Sequence, residues 1–334
     1  MNPLALFLNR QDRLRSGWRF ALFAASFYAL FTALGVLVAL SIYLAYRRPV
    51  GEFESLLDLI SNSPAGYLIQ FAIIFVPALL LGWGFGKFFD GVPPHALGWA
   101  RHRGWLRDLF VGSAVGFASL LLAAALAAAL GGFRFALAPE GFGAAFAKTF
   151  FGAALVYVLL AAAEECAFRG YPLQTLLRSH AVITAAIPGS LLFAAVHLTN
   201  PNVPRDYRLA FMFGNTALAG VWLAVAYWRT RSLWLPLGIH WAWNWALGSV
   251  TGLPVSGITS LNRAPLVRAT DAGPAWLTGG SYGIEGGAAC TVALVVSTVF
   301  VWKSGLLRAD EELKKFTDSE QSKRATPGAG EVII

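Results

Sequence analysis

Phe150–Arg169 reads FFGAALVYVLLAAAEECAFR, and this stretch decides what kind of protein the chain builds. From Phe150 to Ala163 it carries no charged residue. It then places two carboxylates, Glu164 and Glu165, and a guanidinium, Arg169, at the end of that apolar run. A charge near the middle of a bilayer helix costs at least ~2.5–3.5 kcal/mol on insertion scales. A carboxylate in such a segment therefore marks a functional site unless the sequence offers another reason for it.

The rest of the chain has the same character. Of 334 residues, 57% are hydrophobic and 13% charged, with a mean hydropathy of +0.58, whereas a soluble domain carries ~25% charged residues. A helix needs ~20 mainly apolar residues to cross the hydrocarbon core. Eight segments read as such: Gly17 to Tyr46, Tyr67 to Phe89, Leu106 to Leu130, Phe146 to Leu177, Ala181 to Leu198, Leu209 to Trp228, Leu233 to Val250 and Gly286 to Leu307. The expected fold is an all-α polytopic membrane protein with about eight transmembrane helices. The first segment is too long for a signal-peptide core. It is followed by Arg47 and Arg48 rather than by a small-residue cleavage site, so it reads as a retained helix.

Basic residues set the orientation. With eight spans, 18 of the 26 Lys and Arg residues fall in connections on the side of the termini and 8 on the other. That asymmetry places both termini in the cytoplasm of a multi-pass cell-membrane protein. It also explains the net charge of +8 by topology and anionic lipid, so the expected partner is the bilayer and no nucleic acid is implied. Residues 1–308 form one transmembrane domain, and 309–334 a polar cytoplasmic tail that begins helical and fades into disorder. Cys166 and Cys290, both in apolar segments, read as small buried hydrophobes rather than a disulfide.

Small residues have an architectural reading. Gly82 with Gly86, and Gly112 with Gly116, have the spacing that lets helices approach closely in lipid. Pro77, Pro172 and Pro188 read as kinks within or near the ends of spans. The connection Gly252 to Gly279, rich in Gly, Pro and Ser, reads as an inert loop.

The remaining polar residues fall into pairs four apart, each pair on one helical face. Glu165 pairs with Arg169, Phe193 with His197, and His240 with Asn244, while Glu164 is rotated away from the Glu165–Arg169 face and has no partner. Glu165 with Arg169 can serve simply as a neutralised structural pair. A histidine among Trp241, Trp243 and Trp245 can bond across helices, as Asn215 and Thr216 are expected to do. At 1.5 Å per residue, Glu164 and His197 lie ~20 and ~24 Å from the cytoplasmic ends of their segments. His240 lies at ~14 Å and needs a tilted helix to meet them.

Three motifs in order, EECAFR (Glu164 to Arg169), FAAVH (Phe193 to His197) and HWAWN (His240 to Asn244), resemble the CAAX protease and bacteriocin-processing family of intramembrane endopeptidases. The resemblance covers about 146–250. It implies peptide-bond hydrolysis in a cavity within the bilayer, acting on a membrane-associated or lipidated protein or peptide. By carry-over Glu164 is the base that activates water, His197 assists, and His240 with Asn244 stabilises the oxyanion. Glu165, Arg169 and Phe193 support them. A metalloprotease alternative takes Glu164, His197 and His240 as a three-ligand zinc set. Without a His-Glu-x-x-His motif, direct glutamate catalysis without a cofactor ranks ahead of it. Two other classes stay open, a proton-coupled transporter relaying protons through the same Glu and His residues and a non-catalytic membrane scaffold.

Overall fold

With no water to bond in hydrocarbon, a backbone crossing a bilayer satisfies itself internally, and the chain is accordingly almost all helix. A computed structural model describes residues 6–9, 13–47, 49–138 and 142–317; Arg10, Arg48 and the end of the tail, 318–334, lie outside the described residues. The helices are α1 (Ser16–Tyr46), α2 (Val50–Ser61), α3 (Pro64–Phe85), α4 (Trp105–Ala129), α5 (Ala144–Arg169), α6 (Tyr171–Leu177), α7 (Val182–Val196), α8 (Arg208–Thr230), α9 (Trp234–Trp245), α10 (Ala275–Thr278), α11 (Ala288–Lys303) and α12 (Glu311–Thr317). Strands β1 (Phe133–Leu137) and β2 (Val267–Asp271) form a small antiparallel ribbon with Phe133 opposite Asp271.

All eight apolar segments read from the sequence are helical. Among the described residues, six helical stretches are long and apolar enough to cross a membrane: Ser16–Tyr46, Pro64–Asp90, Trp105–Ala129, Ala144–Leu177, Val182–Thr199 and Arg208–Thr230. The seventh and eighth segments are shorter. α9 has 12 residues before the backbone widens into a π-turn over Ala246–Val250, and α11 has 16.

The fourth segment is not one rod. α5 stops at Arg169, Gly170 turns the chain with ψ −131°, and α6 starts with Pro172 in its first turn. A proline ring at 172 would strike the carbonyl of Phe168 in a continuous helix, so the break follows from the residue types. Pro172 thus restarts a helix, while Pro77 and Pro188 lie inside α3 and α7.

Small residues bring α4 and α9 into backbone contact. A Cβ on Gly116 would lie 2.1 Å from the Ile239 carbonyl oxygen, one on Gly112 2.3 Å from that of Leu235, and one on Gly238 2.3 Å from that of Leu109. No side chain longer than hydrogen fits these positions without moving a helix. The other pair faces side chains instead: a Cβ on Gly82 would lie an ordinary 3.5 Å from Tyr171, and one on Gly86 a tight 3.1 Å from Val92.

Three indoles fix α9 further, each donating in a different direction. Trp241 bonds Ser113 Oγ on α4 (2.9 Å), Trp243 bonds Glu285 Oε1 in the connection before α11 (3.0 Å), and Trp245 bonds the Phe150 carbonyl on α5 (3.2 Å). Asn215 donates to the carbonyls of Glu285 and Gly287 and accepts from Thr291. It is the interhelical tie the sequence suggests. Cys166 and Cys290 are free and buried.

At one end of the bundle a buried ion triad gathers three elements. Asp90, beyond α3, accepts from Arg19 of α1 and lies 2.8 Å from Arg178 at the end of α6, with side-chain exposures of 2% or less.

Candidate active site

α5, α7 and α9 converge on one wall of a cavity of about 1010 Å3. The two glutamates at the end of α5 turn out to share a partner. His240 donates Nδ1–H to Glu165 Oε1 at 2.7 Å, and its Nε2 lies 3.6 Å from Glu164 Oε2. Successive residues are rotated by about 100° on a helix, yet both reach one imidazole because its two nitrogens lie on different edges. Glu164 is therefore not solitary, as the spacing on α5 alone suggests.

Exposure separates the two carboxylates. The Glu165 side chain is 0% exposed and that of Glu164 is 31%, so only Glu164 is open to the cavity. Glu165 is neutralised in place, with Arg169 Nη1 donating to the same oxygen at 3.1 Å. The Arg169 guanidinium in turn lies 4.5 Å over the ring of Phe193, a cation–π contact that is stronger where water is excluded. The sequence-derived Glu165–Arg169 pair is thus present, and it acts on His240 as well as on its own helix.

Phe193 is the hub of the aromatic contacts. Its ring centroid is 4.6 Å from that of His197 and 6.1 Å from that of His240, the latter edge-on. His197 donates Nδ1–H to the Phe193 carbonyl at 2.7 Å. A carbonyl only accepts, so the proton is on Nδ1 and Nε2 is the acceptor in the neutral ring. α7 ends at Val196 and passes into a single 3-10 turn at His197. Asn244, one turn beyond His240 on α9, lines the same cavity together with Glu164, His197 and His240.

The zinc set is a different matter. Among the described residues no three His, Cys, Asp or Glu side chains gather in a metal-holding arrangement.

One family model matches the chain. It is described as Type II CAAX prenyl endopeptidase Rce1-like and matches residues 146–246. That span contains all three motifs and every side chain of the cluster around His240. Residues 146–246 are thus similar to the type II CAAX prenyl endopeptidases of the Rce1-like family. No curated protein and no solved structure matches the chain. Helices outside the matched segment, α1, α3 and α11, also supply part of the cavity wall, with Phe20, Phe27 and Phe31 of α1, Gln70 and Ile74 of α3 and Leu294 of α11.

Sequence reasoning missed the contribution of the connection after α9. Val255, Ser256, Ile258, Leu261 and Glu285 all line the cavity, so the stretch Gly252 to Gly279 and its continuation form a wall rather than an inert loop. One signal was available: Glu285 is an acid directly abutting the last apolar segment.

Proposed function

We propose that the chain is an intramembrane endopeptidase that hydrolyses a peptide bond of a membrane-tethered or lipidated peptide, with Glu164 as the base. What carries the reading is the asymmetry of the two glutamates about His240, one sealed and neutralised by Arg169, the other open to the cavity. A family match to CAAX endopeptidases over 146–246 supports the same reaction class.

In this scheme Glu164 removes a proton from a water that His197 Nε2 helps to hold, and the hydroxide attacks the carbonyl carbon. The oxyanion faces His240 Nε2 and the Asn244 amide. Removing one such donor typically costs ~10²–10³ in rate. Glu165 fixes the ring through Nδ1 and stabilises it when Nε2 also carries a proton, a positioning role. Glu164 then returns its proton to the leaving amine as the carbon–nitrogen bond breaks. The aromatic side chains of α1 and Ile74 of α3 along the cavity fit the apolar anchor of the substrate. The reaction takes place in a cell membrane, with both termini cytoplasmic.

The decisive experiment is Glu164→Gln in proteoliposomes with a lipid-anchored fluorogenic peptide. Cleavage is lost while the protein stays folded and inserted. Cleavage at the wild-type rate would remove the base from the scheme, and stoichiometric zinc lost together with activity on His197→Ala would replace it with metal chemistry. A substrate-driven proton flux without cleavage would instead mark a carrier.

A further inference from the structure

A second carboxylate, Glu285, lines the same cavity. Glu285 accepts from Trp243 Nε1 at Oε1 (3.0 Å) and from the backbone N–H (2.5 Å) and hydroxyl (3.2 Å) of Ser256 at Oε2. All these donors are neutral. They orient the carboxylate without cancelling its charge.

The chain invests conformational strain in that orientation. Ser256 has φ +49° and Gly257 φ +82°, forming a two-residue turn closed by the Val255 and Ile258 backbone. Positive φ at both central positions is the I′ geometry, and outside glycine it is uncommon. The turn is also stitched to the segment after His197, since Asn200 donates to the Ser256 carbonyl and Asn202 to that of Gly257. The residues that aim Glu285 are thereby tied to those that carry the reactive histidines.

The charge on the cavity wall is one-sided. Among the described residues that line it, Glu164 and Glu285 are the carboxylates, and there is no lysine or arginine. A carboxylate in a partly dehydrated space attracts a cation far more strongly than it would in water. With no lysine or arginine on the wall and the two histidines assigned to the reaction, a partner cation for Glu285 is one that arrives with a ligand. Trp243 is three residues after His240 on α9, so the helix that carries the imidazole also holds Glu285. Glu285 lines the same cavity as Glu164 and His240, so a peptide bound there for cleavage passes the carboxylate as it runs along the wall, advancing ~3.3 Å per residue when extended.

We propose that Glu285 is a specificity-determining residue that binds an ammonium or guanidinium group of the peptide, close to the bond that is cut. The inference rests on the endopeptidase reading above and adds the substrate's charge to it. The cation is a Lys or Arg side chain or a free N-terminal amine.

The test uses the full chain in proteoliposomes and lipid-anchored peptides with Lys, Arg, norleucine or Glu at each of the two positions on either side of the scissile bond, with free or acetylated N-termini. Affinity is measured by fluorescence anisotropy in the Glu164→Gln background, which needs no turnover, and kcat/KM in the wild type. A charge-assisted hydrogen bond predicts that one cationic position improves affinity ~10–100-fold over norleucine. Adding Glu285→Gln collapses that ratio toward one, with the change in KM rather than kcat. Acetylation abolishes the preference if the N-terminal amine is the ligand and leaves it intact if a side chain is. An undiminished ratio in Glu285→Gln, or no charge preference in a protein that retains Glu285, overturns the proposal; the second result decides even if the Gln variant does not fold. Charge-dependent binding with no cleavage by the wild type would sink the endopeptidase reading while leaving Glu285 as a cation site.

Discussion

Gly116→Ala tests whether the position of His240 is set from behind, by the α4–α9 contact, rather than by its own hydrogen bonds. The added Cβ would sit 2.1 Å from the Ile239 carbonyl oxygen, and contacts below 3.0 Å are essentially never tolerated. The obstacle is backbone, so α9 has to retreat by about 1 Å at the residue next to His240. That shift is large against a 2.7 Å hydrogen bond to Glu165. Overpacking of this kind costs about 1–3 kcal/mol of stability, and a misplacement of ~1 Å at a reacting group can cost ~10²-fold in rate. The measurement is kcat on the lipid-anchored peptide beside the melting temperature of the same preparation. A fall in kcat of about two orders of magnitude with a modest loss of stability is expected. A folded Gly116→Ala protein with unchanged kcat would show that α9 absorbs the methyl without moving His240, and the argument from close approach would fail.

Further outcomes follow from charges held away from water. Asp90→Asn leaves two buried guanidiniums without their carboxylate and should lower the unfolding free energy by about 3–5 kcal/mol, read by denaturant titration in micelles; a loss below ~1 kcal/mol would make the triad dispensable. His102, before α4, accepts from Gly104 N–H at Nδ1 (3.2 Å) and has Nε2 3.3 Å from Asp108, and burial lowers its pKa below the usual 6.5, partly opposed by Asp310. The unfolded chain therefore takes up the proton first as pH falls. The stability gained by keeping the ring neutral is present above about 6.5 and is lost as pH drops from there through the lower folded value. Melting temperatures of wild type and His102→Gln should converge on acidification from pH 7.5 to 5.5, and a constant gap would refute the assignment.

Much of this could be read from the chain because lipid imposes simple rules. An apolar run of bilayer length is a helix, and an acid in one needs a reason, so the all-α polytopic class and the three motif-bearing helices followed from residue types alone. The i,i+4 rule found Glu165 with Arg169 and Phe193 with His197, since both depend only on local helix geometry. It failed for Glu164, whose neighbour lies 76 residues further along the chain on α9, where no periodicity points. The break at Gly170 is not legible from a proline that reads as a kink, because whether Pro172 bends or ends the helix depends on its clash with the Phe168 carbonyl. Glu285 was missed because its role depends on a two-residue turn and on Trp243, and loop composition says nothing about where a loop lies.

The glycine seam between α4 and α9 also says where the protein can and cannot give. Two backbones in direct contact have no side-chain padding to compress, so the histidine-bearing rod is a fixed anvil. The long α1, whose most apolar stretch is 0% buried, is covered by the rest of the protein over little of its length and is moored near Arg19 and Phe23. A bulky passenger, or a thinner bilayer, would be accommodated by leaning that outer post, leaving the sub-ångström registration of the chemistry undisturbed.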